Sequence, residues 1–401
     1  MHTPIHQPGR SIARGWARAL WFALALVGCG GGVDSGGTGV TPASYANGPI
    51  TGFGSVIVNG VRFDDATATV TDDDGLARSR DDLRLGMTTE VRGSPIVVDS
   101  TGANVSTARS IAFASDLLGR IDRIDAANNR LVVLGQSVIV SATTVFDDAT
   151  VPGGLTTLAR GEVVEVYALL DVATSQYQAT RIERKGVVAQ YRLRGVVSQL
   201  DRVAKAFNVG TERISYAGLI GTLPAALANG NVVRLRLQTT QVSAAWPLAA
   251  VSNGAQVPED LDDVRLEGLI SAFTSVTQFS VNGVPVEAAG VTPPVGLGLS
   301  VRVEVEGTMR SGVLVARTVE IESSGGGGGQ TFELRGSITS VNAATLSFLL
   351  RGVTVEYSLT GNPTDFRGGT AANLVVGADV EARGVLSANG TRLAAARITF
   401  N

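Results

Sequence analysis

The sequence predicts an all-β protein assembled from tandem small barrels, each OB-like and made of five or six strands. Three observations support this class. The 401-residue chain repeats a unit of about 70 residues. Within each unit, apolar and polar residues alternate with the period of two that is typical of strands. Asn-Gly pairs separate some of these alternating runs, as expected for two-residue hairpin turns.

Residues 1–28 predict a lipoprotein signal peptide. Three arginines precede a nine-residue apolar run at 19–27, which is shorter than the roughly 20 residues that a membrane-spanning helix needs. The run leads to Leu26-Val27-Gly28-Cys29, which resembles the lipobox of bacterial lipoproteins, where the cysteine is lipidated. We therefore expect lipidation of Cys29, and the glycine that follows it implies an outer-membrane location.

Two glycine-rich segments predict flexible connections. Residues 29–47 form the first and contain almost nothing to bury, so we expect a tether between the anchor and the folded part. Residues 323–330 form the second, and we expect this linker to let the last unit move relative to the fourth.

The residue inventory excludes several chemistries. His2 and His6 would be removed with the signal, and Cys29, the single cysteine, would carry the lipid. The mature chain would then have no Ser-His-Asp or Cys-His mechanism, no Cys/His metal site and no internal disulfide. Its net charge of about −6, with Trp246 as its one tryptophan, also argues against a nucleic-acid partner. These absences predict a protein that is not an enzyme.

Five β repeats fill the remainder of the chain. Each opens on an apolar segment with a glycine, and each later contains a Leu-x-x-Gly step before an alternating strand. We assign the step glycines to Gly86, Gly161, Gly230, Gly298 and Gly377, which are 75, 69, 68 and 79 residues apart. The predicted repeats cover residues 48–112, 114–185, 187–252, 264–322 and 331–401.

The strand and turn patterns inside a repeat are local. Residues 300–307 alternate valine with charged residues, which places the valines on one face of a strand. Asn59-Gly60 and Asn282-Gly283 lie between apolar runs and predict hairpin turns, because both residue types tolerate a positive φ.

These features together resemble an uncharacterised bacterial lipoprotein family built from tandem β domains. The resemblance rests on the lipobox, the tether, the opening run ITGFGSVIVNGVRF at 50–63 and the repeated glycine motifs. It implies an architecture and an envelope location. The family has no established activity, so no catalytic residue is implied.

Acidic residues are concentrated in the first repeat and suggest one metal site. Asp72 and Asp74 flank Asp73 just before Gly75, and carboxylates at alternate positions before a turn glycine can converge on calcium. The alternative is a solvated aspartate-rich turn without an ion. The same region could supply paired carboxylates for a glycoside hydrolase, although no spacing singles out a pair.

The sequence leaves three functional hypotheses open. The first is a lipid-anchored, non-catalytic structural or binding array in the cell envelope, held to the membrane by its lipid and contacting envelope polysaccharide or another envelope protein. The second is a carbohydrate-binding or calcium-dependent module, for which four tyrosines are candidate sugar platforms: Tyr167, Tyr177, Tyr191 and Tyr216. The third is a hydrolase that uses carboxylates.

Overall fold

The computed structural model describes residues 43–254, 257–322 and 330–401. These residues form strands and short 3₁₀ turns and contain no α-helix, which confirms the all-β prediction. Among them, no helix is long and apolar enough to cross a bilayer. Three predicted features lie wholly or largely outside the described residues: the signal peptide 1–28, Cys29, and the linker 323–330 apart from Gln330.

The strands fold into five small barrels, one for each predicted repeat. Barrel 1 contains β1 Ser44–Pro49, β2 Gly52–Phe53, β3 Val56–Val58, β4 Val61–Asp64, β5 Thr69–Thr71, β6 Ala77–Arg78, β7 Thr88–Gly93, β8 Val97–Val98 and β9 Asn104–Phe113. Barrel 2 contains β10 Leu117–Asp125, β11 Arg130–Val133, β12 Gln136–Ile139, β13 Val145–Phe146, β14 Val163–Asp171 and β15 Gln176–Lys185. Barrel 3 contains β16 Tyr191–Asp201, β17 Ala206–Val209, β18 Glu212–Ser215, β19 Val232–Leu237 and β20 Trp246–Asn253.

The last two barrels repeat this arrangement. Barrel 4 contains β21 Asp263–Ser275, β22 Gln278–Val281, β23 Val284–Glu287, β24 Arg302–Arg310 and β25 Val313–Ile321. Barrel 5 contains β26 Phe332–Asn342, β27 Ser347–Leu350, β28 Val353–Glu356, β29 Asp365–Arg367, β30 Asp379–Leu386 and β31 Leu393–Phe400. The 3₁₀ turns are Arg80–Asp82, Ala126–Asn128, Gly154–Thr157, Ala343–Thr345 and Ala371–Asn373.

Barrel 4 shows how each barrel closes. Its long first strand, β21, pairs with β24 along its first half and with β22 along its second half. The hairpin partner β23 pairs in parallel with β25, which returns antiparallel to β24. Every strand therefore has two neighbours, and no edge of this five-stranded barrel is left open. This is OB-like topology, as the sequence predicts.

Barrel 1 has the same topology, but its first strand is divided. The segment β1 pairs with β7, while β2 pairs with β3. The boundary of the tether is corrected here, because residues 44–47 belong to the buried strand β1 and not to the flexible segment 29–47. Tyr45 and Ala46 are fully buried within β1, so this part of the chain is held by packing.

The opening glycine has a steric role in barrels 2 and 3. A Cβ on Gly119 would stand 2.4 Å from Leu134, at the turn between β11 and β12, and a Cβ on Gly195 would stand 2.3 Å from Val209. Real Cβ atoms do not approach other atoms this closely. The glycine therefore lets the following hairpin fold directly over the first strand, which explains why the motif recurs.

The step glycines lie in a tight turn before the fourth long strand. Gly161 and Gly230 each have φ of +90°, a conformation that glycine adopts without a Cβ clash. In barrel 4 our assignment to Gly298 is wrong, because Ser300 occupies the equivalent position with φ of 64°. Its N–H donates to the carbonyl of Ile270, as the step glycines donate to the first strand of their own barrels.

Strand pairing also links the barrels to one another. Strand β1 pairs in parallel with β21, and β2 pairs in parallel with β26, so barrel 1 is joined to barrels 4 and 5. Strand β10 pairs with β16, which joins barrel 2 to barrel 3. The described residues all fall within one compact unit.

Candidate functional site

Charged side chains cover the outer face of the first and fourth long strands where barrel 3 meets its neighbours. Arg192 and Arg194 on β16 lie directly opposite Arg236 and Arg234 on β19. Like charges in cross-strand positions repel each other. The four arginines line a cavity of about 540 Å³, and we call this region the arginine junction.

Two of these arginines are tied to barrel 2 at its first strand. Arg194 donates through Nη1 to Oδ1 of Asp116 at 2.9 Å, and through Nε to the carbonyl of Gly254 at 2.9 Å. Arg234 donates to the carbonyl of Ser115 at 3.1 Å. Burial, and then the charge of Arg194, lowers the pKa of Arg234. The junction therefore depends on carboxylates for its stability.

The predicted aspartates reach this junction from barrel 1. Asp72, Asp73 and Asp74 occupy the hairpin between β5 and β6, and their carboxylate oxygens lie within 4.8 Å of one another. The nearest oxygen of Asp73 is 3.4 Å from Arg192, and that of Asp74 is 3.3 Å from the same guanidinium. Asp74 also pairs with Arg236.

Asp72 itself organises the hairpin. Its Oδ1 accepts the backbone N–H groups of Asp74 at 2.9 Å and Leu76 at 3.0 Å, and its Oδ2 accepts Nε of Arg78 at 2.7 Å. The sequence therefore brings the expected aspartates together. In this structure, arginine guanidinium groups lie beside these aspartates and neutralise their negative charge. They therefore supply the positive charge that a calcium ion would otherwise bring.

Charge is nearly balanced across the arginine junction. Its four arginines face four carboxylates supplied by barrels 1 and 2: Asp73, Asp74, Asp116 and Glu165. Burial raises the pKa of Asp73 against the opposing influence of three arginines. The chemistry of this junction is that of an ion-pair network that holds three barrels together.

A second charged cavity lies between barrels 1, 4 and 5. It has a volume of about 670 Å³, and we call it the glutamate cavity after four of its lining residues, Glu267, Glu304, Glu322 and Glu333. Glu267 and Glu304 are direct cross-strand neighbours on β21 and β24. Burial, and next the charge of Glu267, raises the pKa of Glu304 to about 8.

The four candidate tyrosines mostly lie in the cores of the barrels. Tyr167, Tyr177 and Tyr191 are buried. The Tyr191 ring packs edge-on against Trp246, with ring centroids 5.6 Å apart. Tyr216 is partly exposed, packs on Phe207 and donates its hydroxyl to a backbone carbonyl. Three of the four rings are therefore closed to a polysaccharide.

The arginine junction and the glutamate cavity were not predicted from the sequence. Alternation places the charges of a strand such as β24 on the face opposite its valines, but it does not indicate what that face contacts. One signal in the sequence could have indicated these two regions, namely charges of the same sign at neighbouring outward positions. The third repeat has four such arginines, and the fourth has a row of such glutamates.

Comparison with known proteins identifies part of the repeat. Residues 119–183, 267–320 and 335–399 match the family described as Domain of unknown function (DUF5666), and these segments correspond to barrels 2, 4 and 5. No curated protein matches the chain. A solved structure described as drosophila Unr CSD456 matches at 14% identity, over 52% of this chain and 97% of that one, with a TM-score of 0.15. A likeness at that TM-score carries no weight for fold or function.

Proposed function

Three segments of this chain match the domain of unknown function DUF5666, and we propose the role of the chain from its own geometry. It is a lipid-anchored protein of the outer membrane that acts as a rigid, non-catalytic body of β-barrels. This body holds binding surfaces in fixed positions for envelope polysaccharide or another envelope protein.

The observation that carries this proposal is the way the barrels are joined. Inter-barrel strand pairs tie barrel 1 to barrels 4 and 5, and barrel 2 to barrel 3. The arginine junction then connects barrels 1, 2 and 3 through ion pairs, of which Arg194–Asp116 is buried and Arg192–Asp73 is partly buried. Such connections suit a body that keeps one shape, because separating two barrels would break backbone hydrogen bonds and expose charges.

The residue inventory supports a non-catalytic role. The two histidines and the single cysteine all precede residue 30, so the barrels contain neither residue type. Their absence removes the histidine base and the cysteine nucleophile that many hydrolases use, while a hydrolase that uses paired carboxylates stays the alternative. Hydrolysis of an envelope polymer by the purified protein would contradict this part of the proposal.

The rigid-body proposal is tested by unfolding the full chain in denaturant. Trp246 fluorescence reports on barrel 3, since the other two tryptophans precede residue 28, while circular dichroism reports on all the barrels. We expect the two transitions to coincide, as for a cooperative unit. Separate midpoints would show that the barrels unfold independently and would contradict the proposal.

The anchor is tested by fractionation. The native protein should stay with membranes at high salt, because lipid insertion is insensitive to screening. Cys29→Ser should abolish the lipid modification, whereas Ser35→Ala, in the same segment, should leave it intact. Native protein with an unmodified Cys29 thiol in the soluble fraction would refute the anchor and, with it, the outer-membrane location.

A further inference from the structure

The outward face of barrel 4 has more negative charge than its neighbours neutralise. Glu267 on β21, Glu304 on β24 and Glu320 on β25 form a continuous cross-strand row. Directly opposed side chains have Cβ atoms about 5 Å apart, where like charges destabilise a sheet. Seven neighbouring outward positions hold five glutamates and two arginines: Glu267, Glu304, Glu306, Glu320, Glu322, Arg265 and Arg302.

The two arginines leave part of this charge without a counterion. Arg302 donates Nε to Oε1 of Glu267 at 2.7 Å. Arg265 pairs with Glu306, and its Nη1 is 3.8 Å from Oε1 of Glu304. Within the described residues, Glu320 and Glu322 form no ion pair.

On the other side of the glutamate cavity, each described cationic side chain already has a carboxylate partner. Arg62 and Arg383 line it, but both pair with Glu333, at 2.8 Å and 3.1 Å. They also approach Glu381, at 3.9 Å and 2.6 Å. These two arginines and two glutamates neutralise one another, so the excess charge of barrel 4 remains.

An unpartnered amide oxygen from barrel 1 faces the same region. Asn59 lines the cavity and is 3% exposed. Its Nδ2 donates to the carbonyl of Asn47 at 3.0 Å, but its buried Oδ1 has no hydrogen-bond partner. A buried acceptor without a partner has lost its hydrogen bonds to water and gained none in return, so it is a position at which a ligand would bring stability.

The unpartnered oxygen converges with a carboxylate of barrel 4. A Cβ on Gly48 would stand 2.2 Å from Oδ1 of Asn59 and 3.1 Å from Oε2 of Glu267. Both oxygens therefore flank the small space that the missing side chain of Gly48 leaves open. Arg302 engages the other oxygen of this carboxylate, Oε1.

Barrel 3 provides an internal comparison. When the barrels are aligned on their opening glycines, Gly195 and Gly268, the cross-strand pair Arg194 and Arg234 corresponds to the pair Glu267 and Glu304. There the repulsion is relieved by carboxylates from neighbouring barrels. Among the described residues, no arginine or lysine of barrel 1 or barrel 5 forms an ion pair with the glutamate row of barrel 4.

We propose that the glutamate cavity binds one divalent cation of the calcium type, with Glu267, Glu304 and Asn59 as its oxygen ligands. Carboxylate and amide oxygens are the groups that calcium prefers. The ion would relieve the repulsion in the row and link barrel 1 to barrel 4. This site is separate from the aspartate hairpin, and it does not depend on the lipid anchor or on a non-catalytic role.

Calcium binding is measured on the full chain, purified in detergent, stripped with a chelator and titrated by calorimetry. We expect one saturable site. Glu304→Gln should weaken binding at least tenfold, because it replaces a charged ligand with an isosteric amide. Asn59→Gly should also weaken binding, since it removes Oδ1 while tolerating the φ of 49° at this turn.

Two matched controls locate the ion. Glu287→Gln makes the same chemical change on an exposed residue of β23 in the same barrel, outside the row, and should leave affinity unchanged. Asp74→Asn alters the rival cluster and should also leave it unchanged. The absence of saturable binding would overturn the proposal, as would binding that survives Glu304→Gln but is lost in Asp74→Asn.

A measurement on the unaltered protein avoids dependence on variants that fail to fold. Calcium should slow amide hydrogen exchange at the turn between β3 and β4, where Asn59 lies, and along β24. Protection confined to the hairpin between β5 and β6 would instead place the ion at the aspartates and overturn the assignment.

Discussion

Replacing Asp116 with asparagine should destabilise the arginine junction more than any surface substitution would. Asp116 is 2% exposed, and its partner Arg194 is 8% exposed. The change removes the carboxylate whose Oδ1 accepts a hydrogen bond from Arg194 at 2.9 Å. The amide oxygen of the new asparagine can still accept the N–H of Ala168, which Oδ2 of Asp116 accepts at 2.9 Å. Arg194 would then lie opposite Arg234 without this counterion.

The magnitude follows from the burial of the pair. Removing one partner of a buried ion pair costs about 3–5 kcal/mol, and the neighbouring guanidinium of Arg234 favours the upper part of that range. Typical domains have a free energy of unfolding of about 5–15 kcal/mol. Asp116→Asn should therefore remove a large part of the stability of the junction.

The assay is denaturant unfolding followed by Trp246 fluorescence, since Trp246 lies in barrel 3. Asp262→Asn is the control, because its pair with Arg310 is exposed and such pairs contribute about 0–1 kcal/mol. Adding Arg194→Met to Asp116→Asn should recover most of the loss, because the unpaired buried charge is then gone. A loss below about 1 kcal/mol for Asp116→Asn would refute the reasoning.

Two further predictions concern the contact between barrels 1 and 2. Burial acts to raise the pKa of Glu183, but the charges and hydrogen bonds of Arg181 and Lys185 outweigh it and hold the pKa at about 2, below its usual 4.5. The stability from these ion pairs is present above pH 4.5 and is lost as pH falls towards 2, so Glu183→Gln should flatten the acid limb of a stability profile by about 3 kcal/mol. An unchanged acid limb in the variant would contradict this assignment. A Cβ on Gly86 would stand 2.3 Å from a backbone carbonyl of barrel 2, whereas one on Gly312 would meet nothing within 4 Å, and their φ values are +79° and +80°. Gly86→Ala should therefore lower the thermal midpoint more than Gly312→Ala does, and equal shifts would show that the barrels do not press together there.

Local features of the chain were predictable because they depend on neighbouring residues. The hairpin turns at Asn59-Gly60 and Asn282-Gly283 are confirmed, with φ between 49° and 86°. Alternation within single strands was enough to predict small barrels, since one apolar face must be buried. The exception, Ser300 in a turn position that glycine holds elsewhere, shows that a backbone conformation can be retained without its usual residue.

The functional surfaces could not be predicted in this way. An alternating strand has the same pattern whether its polar face meets water or another barrel. Which face becomes a junction depends on contacts far apart in sequence, such as that of Asn59 with Arg265 and that of Arg62 with Glu333. The aspartates at 72–74 were visible as a cluster, but the arginine partners of Asp73 and Asp74 come from strands more than 100 residues away. The sequence therefore determines the barrels, because their hydrogen bonds and turns are local, whereas only the packing of one barrel on another decides which charges are neutralised and which remain available for a ligand.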